Sequence, residues 1–273
     1  FYAKYEPGYN VTYELGEGAV WNGGKTSQRV IAGRTHAVKG MDAASQPTRP
    51  GYTFAGWTVD GVDGVSKYDY PADQNASFTM PGNNVTLTAK WKSNVYGYTV
   101  KYVDESGNEL QTAKTGSADF ATVVKAEDEK IEIPGYTYQN GNDVTIGLEN
   151  NVMTLVYAEN VTLVANSDEV VYDGNKHSVS GYVVKIGDVE VNDATFANIT
   201  VGAEGTAVGT YPVEFAETVK NILSTDGKYI VTEVINGSLV ITAQSINPKP
   251  EKPDPEKPDE KDPAYGGVQI DSP

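Results

Sequence analysis

Short runs in which every second residue is apolar or aromatic recur along the chain, and this period of two constrains the fold more than any other feature. Tyr9-Asn-Val-Thr-Tyr-Glu-Leu15, Asn84-Val-Thr-Leu-Thr-Ala-Lys-Trp91, Tyr98-Thr-Val-Lys-Tyr-Val103, Val152-Met-Thr-Leu-Val-Tyr157 and Ser238-Leu-Val-Ile-Thr242 each place their apolar groups on one face of a strand. The runs are bounded by turn residues. Asn236-Gly237 and Asp226-Gly227 offer the positive φ of a tight hairpin, and Ser106-Gly107-Asn108 after Asp104-Glu105 reads as another reversal. The best helical stretch is Asp119 to Lys130, with Asp119 as cap and Ala126 and Glu127 as good formers, opposed by the β-branched Thr122-Val123-Val124. The expected class is mainly β with minor α.

Internal similarity divides the chain into small units. Leu87-Thr-Ala-Lys-Trp-Lys92 followed by Tyr98-Thr-Val-Lys-Tyr-Val-Asp-Glu-Ser-Gly107 parallels Phe1-Tyr-Ala-Lys-Tyr-Glu6 followed by Tyr9-Asn-Val-Thr-Tyr-Glu-Leu-Gly16. A last strand ending in Ala-Lys-aromatic hands over to a first strand, and Thr154-Leu-Val-Tyr-Ala-Glu159 repeats the handover before Val161. The reading is therefore residues 1–7 as the last strand of a preceding repeat, then modules at 8–92, 96–159 and 160–244 joined by short linkers. From 245 to 263 the chain reads as an extended spacer: six of the seventeen residues from Asn247 to Pro263 are proline, and none is aliphatic or aromatic. Such a segment has nothing to bury and stays extended, at about 3.1 Å per residue. Residues 264–273 read as the start of a following repeat, since Gly267-Val-Gln-Ile-Asp-Ser272 is similar to Asn160-Val-Thr-Leu-Val-Ala165.

Charge and cysteine content exclude several function classes. The formal net charge is −16, which argues against nucleic acid and an anionic membrane surface as partners. With no cysteine in the sequence, disulfides, thiolate catalysis and Cys-ligated metals are excluded. No run approaches the 18 or so apolar residues of a spanning helix, so no membrane insertion is expected.

Pro47-Thr-Arg-Pro-Gly-Tyr-Thr-Phe-Ala-Gly-Trp57 and Phe78-Thr-Met-Pro-Gly-Asn-Asn-Val-Thr-Leu-Thr-Ala-Lys-Trp91 make the first module similar to the internalin B-repeat, or Listeria–Bacteroides repeat, family of bacterial surface proteins. It departs in its longer connection from Asp60 to Pro71. Gly51 and Gly56 free the backbone around Tyr52, Phe54 and Trp57, which read as core. The second module resembles the MucBP (mucin-binding protein) domain family through Tyr98 to Leu110, Ile133-Pro-Gly-Tyr-Thr-Tyr138 and Met153-Thr-Leu-Val-Tyr157. The third resembles Ig-like repeats of Gram-positive adhesins through Val170-Val-Tyr-Asp-Gly-Asn175, Val208-Gly-Thr-Tyr-Pro-Val-Glu-Phe215 and Asn236-Gly-Ser-Leu-Val-Ile-Thr242. These resemblances imply two β-grasp-like (ubiquitin-like) modules followed by an Ig-like β-sandwich, in an elongated extracellular protein of the bacterial cell wall or surface.

Chemistry-bearing residues are sparse. Ala19-Val-Trp-Asn-Gly-Gly-Lys25-Thr26 fits a relaxed phosphate-loop pattern, but Ser27-Gln-Arg-Val-Ile-Ala-Gly33 after it is no helix, so it reads as a surface hairpin. His36 and His177 stand in different modules without metal-ligand spacing and read as solvated. Asp60, Asp63 and Asp69 lack the spacing of a calcium loop and read as turn formers. Glu127-Asp128-Glu129 reads as an exposed acidic run. Lys–Asn isopeptide bonds need a buried Lys, Asn and acid together, which sequence does not reveal. Asn10, Asn75, Asn84, Asn160, Asn198 and Asn236 head Asn-x-Ser/Thr motifs that matter only in a eukaryotic secretory pathway.

The expected function is non-enzymatic, with no catalytic, cofactor or metal residues and an unknown ligand site. The chain reads as a monomeric fragment of a longer multidomain protein, a stalk that projects a binding region from the wall and contacts host mucin or glycan. The alternative is direct lectin-like recognition by exposed tyrosines, motivated by 18 Tyr against 6 Phe.

Overall fold

The structure is a computed structural model that describes residues 6–60, 62 and 68–245. The strand expected at residues 1–7, the spacer at 245–263 and the repeat at 264–273 lie wholly or almost wholly outside the described residues, as does Asp63.

The first seven strands are β1 (Gly8–Glu14), β2 (Ser27–Ile31), β3 (Thr35–Ala37), β4 (Tyr52–Asp60), β5 (Tyr68–Pro71), β6 (Ser77–Thr79) and β7 (Val85–Ser93). Five of them form a sheet in the order β2-β1-β7-β4-β5, and β3 pairs with β6. β1 and β7 run parallel while the other pairs are antiparallel, so the first and last strands of the module lie side by side. Val11 and Tyr13 of β1, Val85 and Leu87 of β7, and Phe54, Trp57 and Val59 of β4 close one core. Each such side chain contributes roughly 1.5–3 kcal/mol by leaving water. Strict alternation along β4 would turn Trp57 away from Phe54. A bulge between Phe54 and Gly56 resets the phase, and the two rings meet at 5.1 Å. Gly56 permits it, with φ at +120° and the Tyr70 carbonyl occupying the space of a Cβ.

Tyr52 is a correction to the sequence reading. It is only half-buried and packs outside this core, against Phe120.

The next elements are β8 (Val95–Asp104), β9 (Glu109–Asp119), β10 (Val123–Val124), one helical turn α1 (Ala126–Glu129), β11 (Tyr136–Gly141), β12 (Val144–Thr145) and β13 (Val152–Ala165). They repeat the first plan: β8 and β13 run parallel, with β9 antiparallel to β8 and β11 antiparallel to β13. The hairpin at Ser106-Gly107-Asn108 is present, with the Asp104 carboxylate accepting the Ser106 and Asn108 amides and Gly107 at φ +84°. The helix expected from Asp119 to Lys130 shrinks to α1. Asp119 ends a strand, Ala121 takes φ +65°, and Val123-Val124 pair with β12, so the β-branched run prevails over the good helix formers.

One residue separates β7 from β8. The Asn94 amide donates to the Gly51 carbonyl, its carbonyl accepts from the Phe120 amide, and its side-chain Oδ1 accepts from Thr53 Oγ1 at 2.6 Å. At the next handover there is no gap. β13 runs through it, pairing with β8 and β11 over its first half and with β20 (Tyr229–Ile235) from Glu159 onward.

Beyond β13 the chain alternates between two compact units. β14 (Asp168–Val171), β15 (His177–Ser180), β18 (Gly202–Gly205), β19 (Gly209–Val213) and β21 (Gly237–Thr242) form one unit, as a β14-β21-β19 sheet and a β15–β18 pair. β16 (Tyr182–Ile186), β17 (Val189–Glu190) and β20 belong with the first 164 residues, around Val161, Leu163, Val184, Phe196 and Val231. Asp226-Gly227 makes its expected reversal, with Gly227 at φ +77°. Asn236-Gly237 does not close a hairpin: β20 pairs with β13, whereas β21 pairs with β14 and β19.

Candidate ligand-binding surface

Alternation along β11 puts Tyr136 and Tyr138 on one face, and antiparallel register sets Tyr157 of β13 opposite Tyr138. With Lys130, Ile131, Glu132 and Thr137 they line an open depression of about 360 Å³. Tyr157 is its buried floor. Its hydroxyl accepts from the Ile131 amide at 3.1 Å and donates to the Ile131 carbonyl at 3.0 Å, which fixes the ring and the segment after α1 together. Tyr138 stands edge-on to Tyr157 with centroids 5.6 Å apart. Lys130, ion-paired with Glu127, holds its ammonium 5.7 Å from the Tyr138 ring centre. Burial raises the hydroxyl pKa of Tyr136, helped by the nearby Glu159 charge, and burial raises that of Tyr157 too. Both remain neutral at physiological pH. The surface therefore offers aromatic rings beside an ammonium, a carboxylate and hydroxyls, a combination that suits the apolar faces and hydroxyl edges of a sugar.

A second depression, of about 630 Å³, lies in the first module beside Trp21 and includes Gly23, Gly24 and Lys25 of the phosphate-loop-like segment. That segment joins antiparallel β1 to β2, as its reading as a hairpin requires, and a strand follows it rather than a helix.

The remaining singled-out residues are scattered. His36, read as solvated, is buried: its Nε2 lies 3.0 Å from the Tyr13 hydroxyl, which also accepts the Lys39 amide. Burial and the Lys39 charge lower the His36 pKa, so the imidazole is neutral at pH 7, while burial pushes the Tyr13 hydroxyl up to about 12. His177 is partly buried and bonds Asp173 at 2.8 Å. Bonds from the Asn175 side chain and amide, with His177, hold the Asp173 carboxyl down at about 2. Asp60 ends β4, and Asp69 sits inside β5 rather than in a turn, accepting from Thr58 and pairing with Lys90 at 2.6 Å.

Of the acidic run, Glu127 and Asp128 are exposed, but Glu129 is buried. It pairs with Lys114 at 2.6 Å and accepts from the Tyr98 hydroxyl at 2.8 Å, and these bonds lower its pKa. Sequence reasoning missed this because Tyr98 lies on β8 and Lys114 on β9, apart in sequence from α1. Among the described residues no lysine is buried and no three His, Asp or Glu side chains stand close enough to hold a metal ion.

Residues 9–95 match the family described as the divergent InlB B-repeat domain, and residues 99–172 match the MucBP domain. Both are non-catalytic, adhesion-type domains typical of bacterial cell-surface proteins. Among solved structures, the Bacillus anthracis TIE protein aligns with 86% of this chain at 12% identity and a TM-score of 0.28. The chain spans 50% of the length of that protein. The two family matches support a surface-protein repeat module of adhesion type.

Proposed function

We propose that the chain is a non-enzymatic stalk and adhesion region of a bacterial cell-surface protein, and that the tyrosine-lined depression of the MucBP-matching segment binds host mucin glycans. The modules are those of the sequence reading: an internalin B-repeat-like unit at 8–92, a MucBP-like unit at 96–159 and an Ig-like unit at 160–244. The observation carrying the binding role is the convergence of Tyr136, Tyr138 and Tyr157 beside Lys130 and Glu132 on one open face. A sugar ring stacked on Tyr138 would direct its hydroxyls to the Lys130 and Glu132 side chains. The stalk role is supported by the repeated parallel first-and-last-strand plan and by junctions that leave little free chain.

The test is mucin binding by the whole chain, wild type against Tyr136→Ala/Tyr138→Ala. Tyr157 is left intact because it is buried. Saturable binding weakened about tenfold or more, on the scale of one lost anchor, is expected; both rings also pack against the core of their module, so the double variant should melt lower and binding is compared well below its melting temperature. Mucin binding that is absent in the wild type, or indifferent to the two substitutions, overturns the site.

A further inference from the structure

The depression beside Trp21 has a different character from the tyrosine-lined one. It is built by three separate stretches of the first module: the β1–β2 connection with Gln28 of β2, the segment following β3, and the β5–β6 connection that supplies Asn75. Trp21 is held in place at its edge. Its Nε1 donates to the Ser45 carbonyl at 2.6 Å, and its ring meets Tyr13 at 5.2 Å and Trp57 at 5.5 Å. Gly24 and Gly40 lie so close against the indole that a Cβ at either would collide with it, so bare backbone flanks the ring where side chains would otherwise stand.

The charge on the lining is the second observation. In a chain of net charge −16, the depression carries two exposed ammonium groups, Lys25 and Lys39, against one carboxylate, Asp42. Asp42 is engaged by the Ser45 hydroxyl at 2.6 Å. Among the described residues, neither lysine takes part in an ion pair. Exposed Asn22, Gln28 and Asn75 add amide donors and acceptors around the same space.

We infer that this depression is a second binding site, for an acidic saccharide unit whose carboxylate lies between Lys25 and Lys39, whose ring rests on the Trp21–glycine surface, and whose hydroxyls meet Asn22, Gln28 and Asn75. Two ammonium groups bond a carboxylate more strongly than they bond the hydroxyls of a neutral sugar. A neutral hexose keeps the ring and hydroxyl contacts but leaves both lysine charges without an anionic partner. The site is independent of the tyrosine-lined depression.

The experiment follows the Trp21 indole N–H resonance of the whole chain, assigned by its loss in Trp21→Phe, during titration with sialyllactose, lactose and inorganic sulfate. A saturable shift with sialyllactose at a Kd of about 1 mM, weakened as salt screens the lysines, and smaller shifts with lactose and sulfate are expected. Lys25→Ala/Lys39→Ala should weaken sialyllactose at least about tenfold, the scale of one charge-assisted bond. Both lysines are exposed, so the fold should persist. Tyr136→Ala/Tyr138→Ala should leave this titration unchanged, which separates failure here from failure of the mucin site. An equal response to lactose or to sulfate, silence at millimolar sialyllactose, or indifference to loss of the lysines overturns the assignment.

Discussion

The ring of Phe120, just past the end of β9, stands edge-on to that of Tyr52 at the start of β4, with centroids 5.3 Å apart. Tyr96 meets Phe120 from β8 at 6.0 Å, and the Arg49 guanidinium covers Tyr52 at 4.1 Å. Gly51 lies directly against the Phe120 ring, leaving no room for a Cβ. The handover at Asn94 is thus a packed joint.

Substitution at Gly51 should open that joint. Gly51→Ala must hold φ near +80° and displace Phe120; the backbone strain alone is about 1–2 kcal/mol. Faster amide hydrogen exchange at Asn94 and Phe120, with the core around Trp57 still protected, is the expected result. Unchanged exchange at both amides would show that the joint does not depend on this contact.

His36 should impose an acid limit on the first module. Its folded pKa is lowered, so below its unfolded value near 6.5 the unfolded chain binds more protons than the folded one. Stability should fall as pH drops through that value and level off once the folded imidazole is itself protonated. Lys39 is the positive group beside it, and the Tyr13 hydroxyl its neutral partner. Melting temperatures from pH 7.5 to 5 should show this slope, and His36→Gln should flatten it.

Asn151 pins the loop before β13. It accepts the Gly147 amide at 2.7 Å and donates to the carbonyls of Gly97 and Gly147, each at 3.1 Å. Asn151→Ala leaves these groups without their partner and should cost about 1–3 kcal/mol. A denaturant midpoint displaced downward with an unchanged slope is the check.

β13 should couple the melting of two cores. Leu155 and Tyr157 belong to one and Val161 and Leu163 to the next, on a single uninterrupted strand. Val161→Pro, which removes a ladder hydrogen bond donor from a central strand, should split one calorimetric transition over this region into two. A wild type that already melts in two steps would refute the coupling.

The strands were legible in the sequence because period two has one physical meaning when one face is buried; Tyr9 to Leu15 and Val152 to Tyr157 needed no further information. What local pattern could not carry was any feature set by a partner distant in the chain. His36 looked solvated because Tyr13 lies 23 residues away, and Glu129 looked exposed because Lys114 and Tyr98 sit on other strands. The bulge that brings Trp57 onto Phe54 adds one residue to the count and leaves composition untouched. In the failed helix, Ala126 and Glu127 gave the right signal over a single turn, but Val123-Val124 found a strand to pair with. The tyrosines of the candidate surface were visible as a surplus; their convergence depended on the β11–β13 register.

The parallel placement of β1 beside β7 has a mechanical consequence. The chain enters the module at one end of this pair and leaves it at the other, so tension along the polypeptide loads the connecting hydrogen bonds broadside and together. An antiparallel pair pulled from its open end would peel bond by bond at far lower force. β8 beside β13 has the same parallel geometry, so force along the polypeptide would load that ladder in the same way.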